Sequence, residues 1–152
     1  MSIRLETSKK NGIDNFQDKE ISSYQMNLNK ELPSQHPNTI IRTKPSPVYN
    51  CHGLTFASRR TRIEKCSNIN KILCDDSYIE VTDIKEVLPG DIVVYYSSTG
   101  DPNHSGIVVE NNCNSIIPLI CSKWGSAGEF IHSLRDCPRI YGPNFKFYRC
   151  RL

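Results

Sequence analysis

Residues 87–110 read Val-Leu-Pro-Gly-Asp-Ile-Val-Val-Tyr-Tyr-Ser-Ser-Thr-Gly-Asp-Pro-Asn-His-Ser-Gly-Ile-Val-Val-Glu, and this stretch decides the fold class. Pro89-Gly90-Asp91 makes a turn, and Ile92 through Tyr96 is a run of strong strand formers. Ser97 to Asn103 is a polar connection, and His104 through Glu110 is a second strand-forming run. Two such runs joined so briefly pair as antiparallel neighbours. Outward from them, Tyr78-Ile-Glu-Val81 reads as a short turn or strand. Asn111 to Ser115 makes the next turn, and Ile116 to Cys121 forms another strand. Tyr141-Gly-Pro-Asn144 interrupts the chain before a last strand at Phe145-Lys-Phe-Tyr148. On the N-terminal side, Cys51 through Arg60 forms a helix with Asn50 as its cap. This order predicts an α+β domain in which one N-terminal helix packs on an antiparallel sheet.

The helix presents Leu54, Phe56 and Ala57 as its apolar side, while Arg59, Arg60 and Arg62 read as its solvated side. Gly53 is costly inside a helix, and its role is read as relief of bulk beside Cys51. Upstream, Phe16, Glu20, Tyr24 and Leu28 recur every four residues, the pattern of a short accessory helix limited by Gly12 and Asn29. Pro33, Pro37, Pro45 and Pro47 favour an extended approach to the core. Residues 1–39 are therefore expected to be an N-terminal extension that clamps the domain or lies disordered, and residues 40–152 the catalytic domain.

The 152 residues suffice for one catalytic domain and are few for two. A net charge of +3, with no interleaving of basic and aromatic residues, implies no nucleic-acid partner. No sustained apolar run implies a membrane span or a secretory leader, so a soluble protein is expected, cytoplasmic or exported without a classical signal. Seven cysteines cannot all close into intramolecular disulfides. Cys66, Cys74, Cys113, Cys121, Cys137 and Cys150 read as small structural residues.

Cys51 differs because it opens a helix, where unpaired amides stabilise a thiolate and a tetrahedral oxyanion. His104 opens a strand. Alternation puts His104, Gly106, Val108 and Glu110 on one face, and Ser105, Ile107 and Val109 on the other. A cleft between the His104 face and the start of the Cys51 helix would bring sulfur and imidazole into hydrogen-bond reach. Such a pair performs acyl transfer, the imidazole taking the thiol proton and delivering it to the leaving group.

Asn50-Cys-His-Gly, Leu88-Pro-Gly-Asp-Ile-Val-Val-Tyr-Tyr and His104-Ser-Gly-Ile-Val-Val-Glu, in this order, resemble the NlpC/P60-like cysteine peptidase and amidase superfamily. A looser similarity links them to CHAP amidase domains. The resemblance covers about residues 48–150. It implies a papain-like core, Cys51 as nucleophile, His104 as catalytic histidine, and cleavage of an amide bond, often in bacterial cell-wall peptides. The implied partner is a peptide or other amide-containing substrate. The chemistry requires no metal, nucleotide or organic cofactor.

Families of this kind usually add a polar group that orients the histidine. Setting Glu110 near Ile117 across a hairpin places Lys123 opposite His104, with Ser122 and Trp124 beside it. A charged lysine cannot accept the second imidazole proton. His132, returned to the cleft by a loop through Gly125 and Gly128, is the chosen third member, with Ser122 and Glu110 as alternatives. Tyr95 or Tyr96 offers a proton to the oxyanion. Trp124 is a core anchor or a cleft wall, and His52 points away from the catalytic direction. Three competing readings stand beside hydrolysis. They are acyl transfer or thioester cleavage at the same site, a catalytically silent binding domain, and a zinc-stabilised domain using Cys51, His52, Cys66 and Cys74.

Overall fold

The computed structural model describes residues 1–112 and 117–151. The fold is α+β. A seven-stranded antiparallel sheet has the order β1-β6-β5-β4-β3-β7-β2. Its strands are β1 (Ile40–Ile41), β2 (Tyr78–Val81), β3 (Ile92–Tyr96), β4 (Pro102–Glu110), β5 (Leu119–Lys123), β6 (Glu129–Ser133) and β7 (Asn144–Cys150). Among the described residues three α-helices accompany it, α1 (Ser23–Gln35), α2 (Cys51–Phe56) and α3 (Cys66–Asp75). The central pair β3–β4 comes from the stretch that the strand formers mark, and Val93, Val94 and Ser105 in it are fully buried.

The two sheet faces carry different cores. Tyr95 and His104 are cross-strand partners, so they share a face. That face holds the main apolar cluster, in which Val93, Val108, Ile120, Trp124, Phe130 and Phe147 meet. Leu32 of α1 packs against it. Trp124 is 2% exposed and stacks on Phe130 with ring centroids 3.9 Å apart, the core-anchor arrangement of a large aromatic. The opposite face carries Ser105, Ile107, Cys121 and Lys123. There Leu54 of α2 and Tyr49 pack against Cys121. A third cluster joins α3 to the chain start through Ile13, Ile63, Ile69 and Ile72.

Several elements lie outside the sequence expectation. Helix α1 begins at Ser23, capped by the Ser22 hydroxyl, and runs through Pro33, where an extended segment is expected. Pro33 has no N–H to give the helical ladder, and the helix ends two residues later at Gln35. Helix α3 adds to the expected elements; Lys65 gives its start no side-chain cap, although Ile69, Ile72 and Leu73 recur at helical spacing. Strand β6 replaces the expected loop around His132, and Gly128 lets the Thr43 carbonyl approach its start. Helix α2 ends at Phe56, four residues early, because Ser58 and Arg59 take left-handed backbone angles. Strand β5 begins at Leu119, and the expected turn and strand start at 113–116, with Cys113, fall outside the described residues.

The first 39 residues are packed onto the rest. Ile13 is buried, Thr7 Oγ1 donates to Asp75 at 2.7 Å, and Asn29 Nδ2 donates to Ser126 at 3.0 Å. Among the described residues no helix is long and apolar enough to cross a membrane.

Candidate active site

Asn50 builds the start of α2. Its Oδ1 accepts from the Gly53 and Ile63 amides at 2.9 and 3.1 Å, and its Nδ2 donates to the Ile63 carbonyl at 2.8 Å. One side chain thus caps the helix and ties it to the strand-like segment beneath. Gly53 is required for that approach. A Cβ there would lie 1.8 Å from the Thr61 carbonyl oxygen, so the glycine serves backbone packing, not space beside the sulfur.

Cys51 is 8% exposed and lines a cavity of about 340 Å³ together with Asn50, His52, Cys66, Pro102 and Tyr141. Burial pushes its thiol up to about 11. Backbone N–H groups of Ser105, His52 and Cys51 itself, and then the Lys123 charge, pull in the ionising direction. Helix α2 has only six residues, so these individual groups, not a long helix dipole, set the sulfur's environment.

His52 is buried against β4. The Pro102 carbonyl lies 3.1 Å from Nε2 and the Ser105 hydroxyl 2.8 Å from Nδ1, and that hydroxyl donates on to Thr55 Oγ1 at 2.9 Å. Burial lowers the His52 pKa to about 4. His52 faces the strand that carries His104, and it lines the Cys51 cavity instead of turning away from it.

His104 is fully buried, and neither ring nitrogen has a hydrogen-bond partner among the described residues. Its ring stacks flat on Tyr141 at 3.6 Å, with the planes 3° apart. Burial, with the nearby His132 and His52, drives its pKa well below the ordinary histidine value, so the ring rests neutral. The expected cleft between the His104 face and α2 is not formed. Helix α2 lies on the Ser105 face, and no hydrogen bond joins Cys51 to His104. The two are linked through Tyr141, which lines the Cys51 cavity and covers His104. Burial raises Tyr141 well above its usual value, and the Cys51 sulfur adds to that rise.

The third position also differs from expectation. His132 Nδ1 lies 2.8 Å from the Ser133 carbonyl and must donate to it, so Nε2 accepts from the Ser122 hydroxyl at 2.7 Å. Ser122 in turn accepts from Trp124 Nε1 at 3.0 Å. His132 is thus near His104 but fully engaged elsewhere, and burial lowers its pKa to about 4. Glu110 lies at the far end of β4, opposite Leu119. Tyr95 donates to the Leu134 carbonyl and Tyr96 shares a hydrogen bond with Tyr148, so neither hydroxyl points to the sulfur. Gly106 answers strand packing. A Cβ there would lie 2.6 Å from Ile120 Cγ2.

Lys123 is the residue whose place the sequence misjudges. The register pairs Ile107 with Cys121 and shifts at the bulge between Val108 and Glu110. Continued two residues, it sets Ser105, not His104, opposite Lys123. A slip of one residue moves a side chain to the other face, here to the side of Cys51. Tyr141 was missed because Tyr-Gly-Pro-Asn reads as an interruption, and a stacking partner leaves no local pattern.

Among the described residues no three His, Cys, Asp or Glu side chains gather as a metal-ligand set, so Cys51, His52, Cys66 and Cys74 do not form the zinc cluster weighed above. The six described cysteines are free thiols. A second cavity, of about 390 Å³, opens by Arg135, Cys137 and Tyr95, the cross-strand partner of His104, and Cys51 does not line it. Comparison with protein-family models, curated proteins and solved structures finds no match for this chain.

Proposed function

We propose that the protein is a cysteine-dependent amidase or peptidase on an NlpC/P60-like, papain-like scaffold, with a peptide, such as a cell-wall peptide, as substrate. One observation carries the reading. A fully buried histidine keeps both ring nitrogens unpaired, while the next residue turns its N–H toward the sulfur of a buried cysteine. An unpaired buried polar group costs about 1–3 kcal/mol, and a fold that tolerates it needs an account of why the group is there. A base waiting for a proton is such an account.

In the reaction, the Cys51 sulfur attacks the amide carbonyl as its proton passes to His104. The tetrahedral intermediate collapses, the C–N bond breaks, and the proton leaves with the amine. Water, deprotonated by His104, then cleaves the thioester and restores the thiol. Starting from neutral thiol and neutral imidazole, the proton moves during attack. Tyr141 must yield for the imidazole to reach the cavity, so substrate entry and dyad assembly are one event on this reading. Transfer of the acyl group to another amine, or cleavage of a thioester, uses the same intermediate.

The test is turnover of a panel of peptidoglycan-derived and other peptide amides by the wild type, Cys51→Ala and His104→Ala. Both variants are expected to lose at least a hundredfold in kcat/KM. Folded Cys51→Ala with full turnover on a substrate the wild type cleaves would sink the mechanism. The absent Cys51–His104 hydrogen bond favours a silent binding domain as the second reading. Tight peptide binding, unchanged in Cys51→Ala and without turnover by the wild type, would establish it.

A further inference from the structure

We propose that Lys123 is the counter-charge of the Cys51 site, a positioning residue that holds positive charge beside the sulfur as it ionises. The inference rests on the reading of Cys51 as a nucleophile and adds a residue to it. Lys123 is fully buried on β5, on the face that α2 covers. Its ammonium has three N–H groups. Two donate to the Ser46 and Gly125 carbonyls, at 2.8 and 2.7 Å. The charge also lies over the Tyr49 ring, 4.7 Å from its centroid. Tyr49 runs directly into Asn50 and Cys51, so the ring that seats the ammonium belongs to the segment that seats the nucleophile.

A buried ammonium is expensive without an anion. Among the described residues Lys123 has no carboxylate within ion-pair distance. Its cross-strand neighbour Glu129 directs its oxygens to Arg42, Arg59 and Tyr49 instead. The carbonyls and the ring fix the cation in place but do not neutralise it. The β4–β5 register, continued two residues past its last pair of Ile107 with Cys121, leads from Lys123 to Ser105, whose N–H faces the Cys51 sulfur, so the ammonium and the sulfur lie on the same side of β4. Burial and the like charge of Arg62 bring Lys123 down to about 8, while Cys51 and Glu129 hold it up. At neutral pH it is still largely charged. On the Cys51 side the other titratable groups are His52, Cys66, Glu64 and Tyr141. Both flanking histidines of the site rest neutral, so the formal cation beside the sulfur is the lysine.

The experiment needs no substrate. Iodoacetamide alkylates the Cys51 sulfur with loss of iodide, and the rate follows the thiolate fraction. The full-length protein and Lys123→Met are treated between pH 6 and 10, and labelling of Cys51 is read by mass spectrometry of its peptide, apart from the other cysteines. An opposite charge at close range lowers a thiol pKa by one unit or more. Lys123→Met should therefore alkylate about tenfold more slowly at pH 7.5, with its profile displaced upward by about one pH unit. A folded Lys123→Met with the wild-type profile overturns the proposal.

Should Lys123→Met not fold, Lys123→Gln, which keeps N–H donors for the two carbonyls without the charge, is labelled in its place, and a wild-type alkylation profile overturns the proposal equally. The outcomes separate from those of the amidase reading. A Lys123-dependent alkylation profile without amide turnover would remove the proposed function and leave this inference. Normal turnover with a Lys123-independent profile would do the reverse.

Discussion

The two faces of the central sheet treat their buried polar groups in opposite ways. On the α2 face, the fully buried Glu129 carboxylate takes hydrogen bonds from Arg59, Arg42 and Tyr49, and Lys123 is held by two carbonyls and a ring. On the other face, His132, Ser122 and Trp124 satisfy one another, but His104 in their midst has no partner at either nitrogen. The first face uses its polar groups to hold α2 and Cys51 in place. The second retains one unpaired imidazole behind a tyrosine. The difference separates groups that stabilise the fold from a group the fold tolerates.

Glu129 tests the first half of that contrast most severely. Burial raises its pKa, but the Arg59 and Tyr49 hydrogen bonds and the arginine charges outweigh burial and hold it at about 2. Removing one partner of a buried ion pair costs about 3–5 kcal/mol. Arg42 and Arg59 are nearly half exposed and regain water, so Glu129→Ala should lose the lower figure, about 3 kcal/mol in urea unfolding. A loss under about 1 kcal/mol would mean that the cluster is ornamental.

The histidines provide the next largest effect. His52 and His132 have folded-state pKa values lowered to about 4 by burial, and burial also holds His104 well below the ordinary histidine value. An unfolded histidine titrates near 6.5, so between about pH 6.5 and 4 the unfolded chain binds protons that the folded one refuses. The stabilisation is complete above the unfolded value and is lost as pH falls through this window. His52 and His132 should each remove about 2 kcal/mol of stability between pH 7.5 and 5, and His104 acts in the same direction. Unfolding free energies at the two pH values check this in the wild type and in His132→Asn, which should show the smaller loss. Stability that does not change across the interval would contradict the neutral, buried state of all three rings.

The smallest effect has the opposite sign and cuts the contrast most finely. His104→Phe keeps a ring to stack on Tyr141 and removes two unpaired polar atoms. It should raise stability by about 1 kcal/mol while abolishing the proposed amide turnover. A destabilised His104→Phe protein would show that the imidazole contributes to the fold, and the distinction between the faces would fall.

Much of this molecule is readable locally. Asn50 before an apolar stretch announces the capped start of α2, Pro-Gly-Asp followed by Ile-Val-Val-Tyr-Tyr announces β3, and His104 to Glu110 announces β4. These signals act over a few residues, through a side-chain oxygen reaching a nearby amide or through the two-residue period of a strand. They suffice for an α+β domain with a cysteine at a helix start and a histidine near a strand start. They do not fix how strands meet. The bulge in β4 moves Lys123 to the α2 face and leaves Ser122 on the side of His104, a one-residue matter decided by the packing of Ile120 and Cys121 against β4. Nor do they fix burial. Seven strands from across the chain together exclude water from His104, empty His132 of charge and isolate an ammonium, and no stretch of sequence contains that sum. The sequence by itself determined which chemical groups were present and which local elements carry them. The tertiary structure decided which groups share a face, which are dry and which remain unpaired, because desolvation and strand register depend on all neighbours at once.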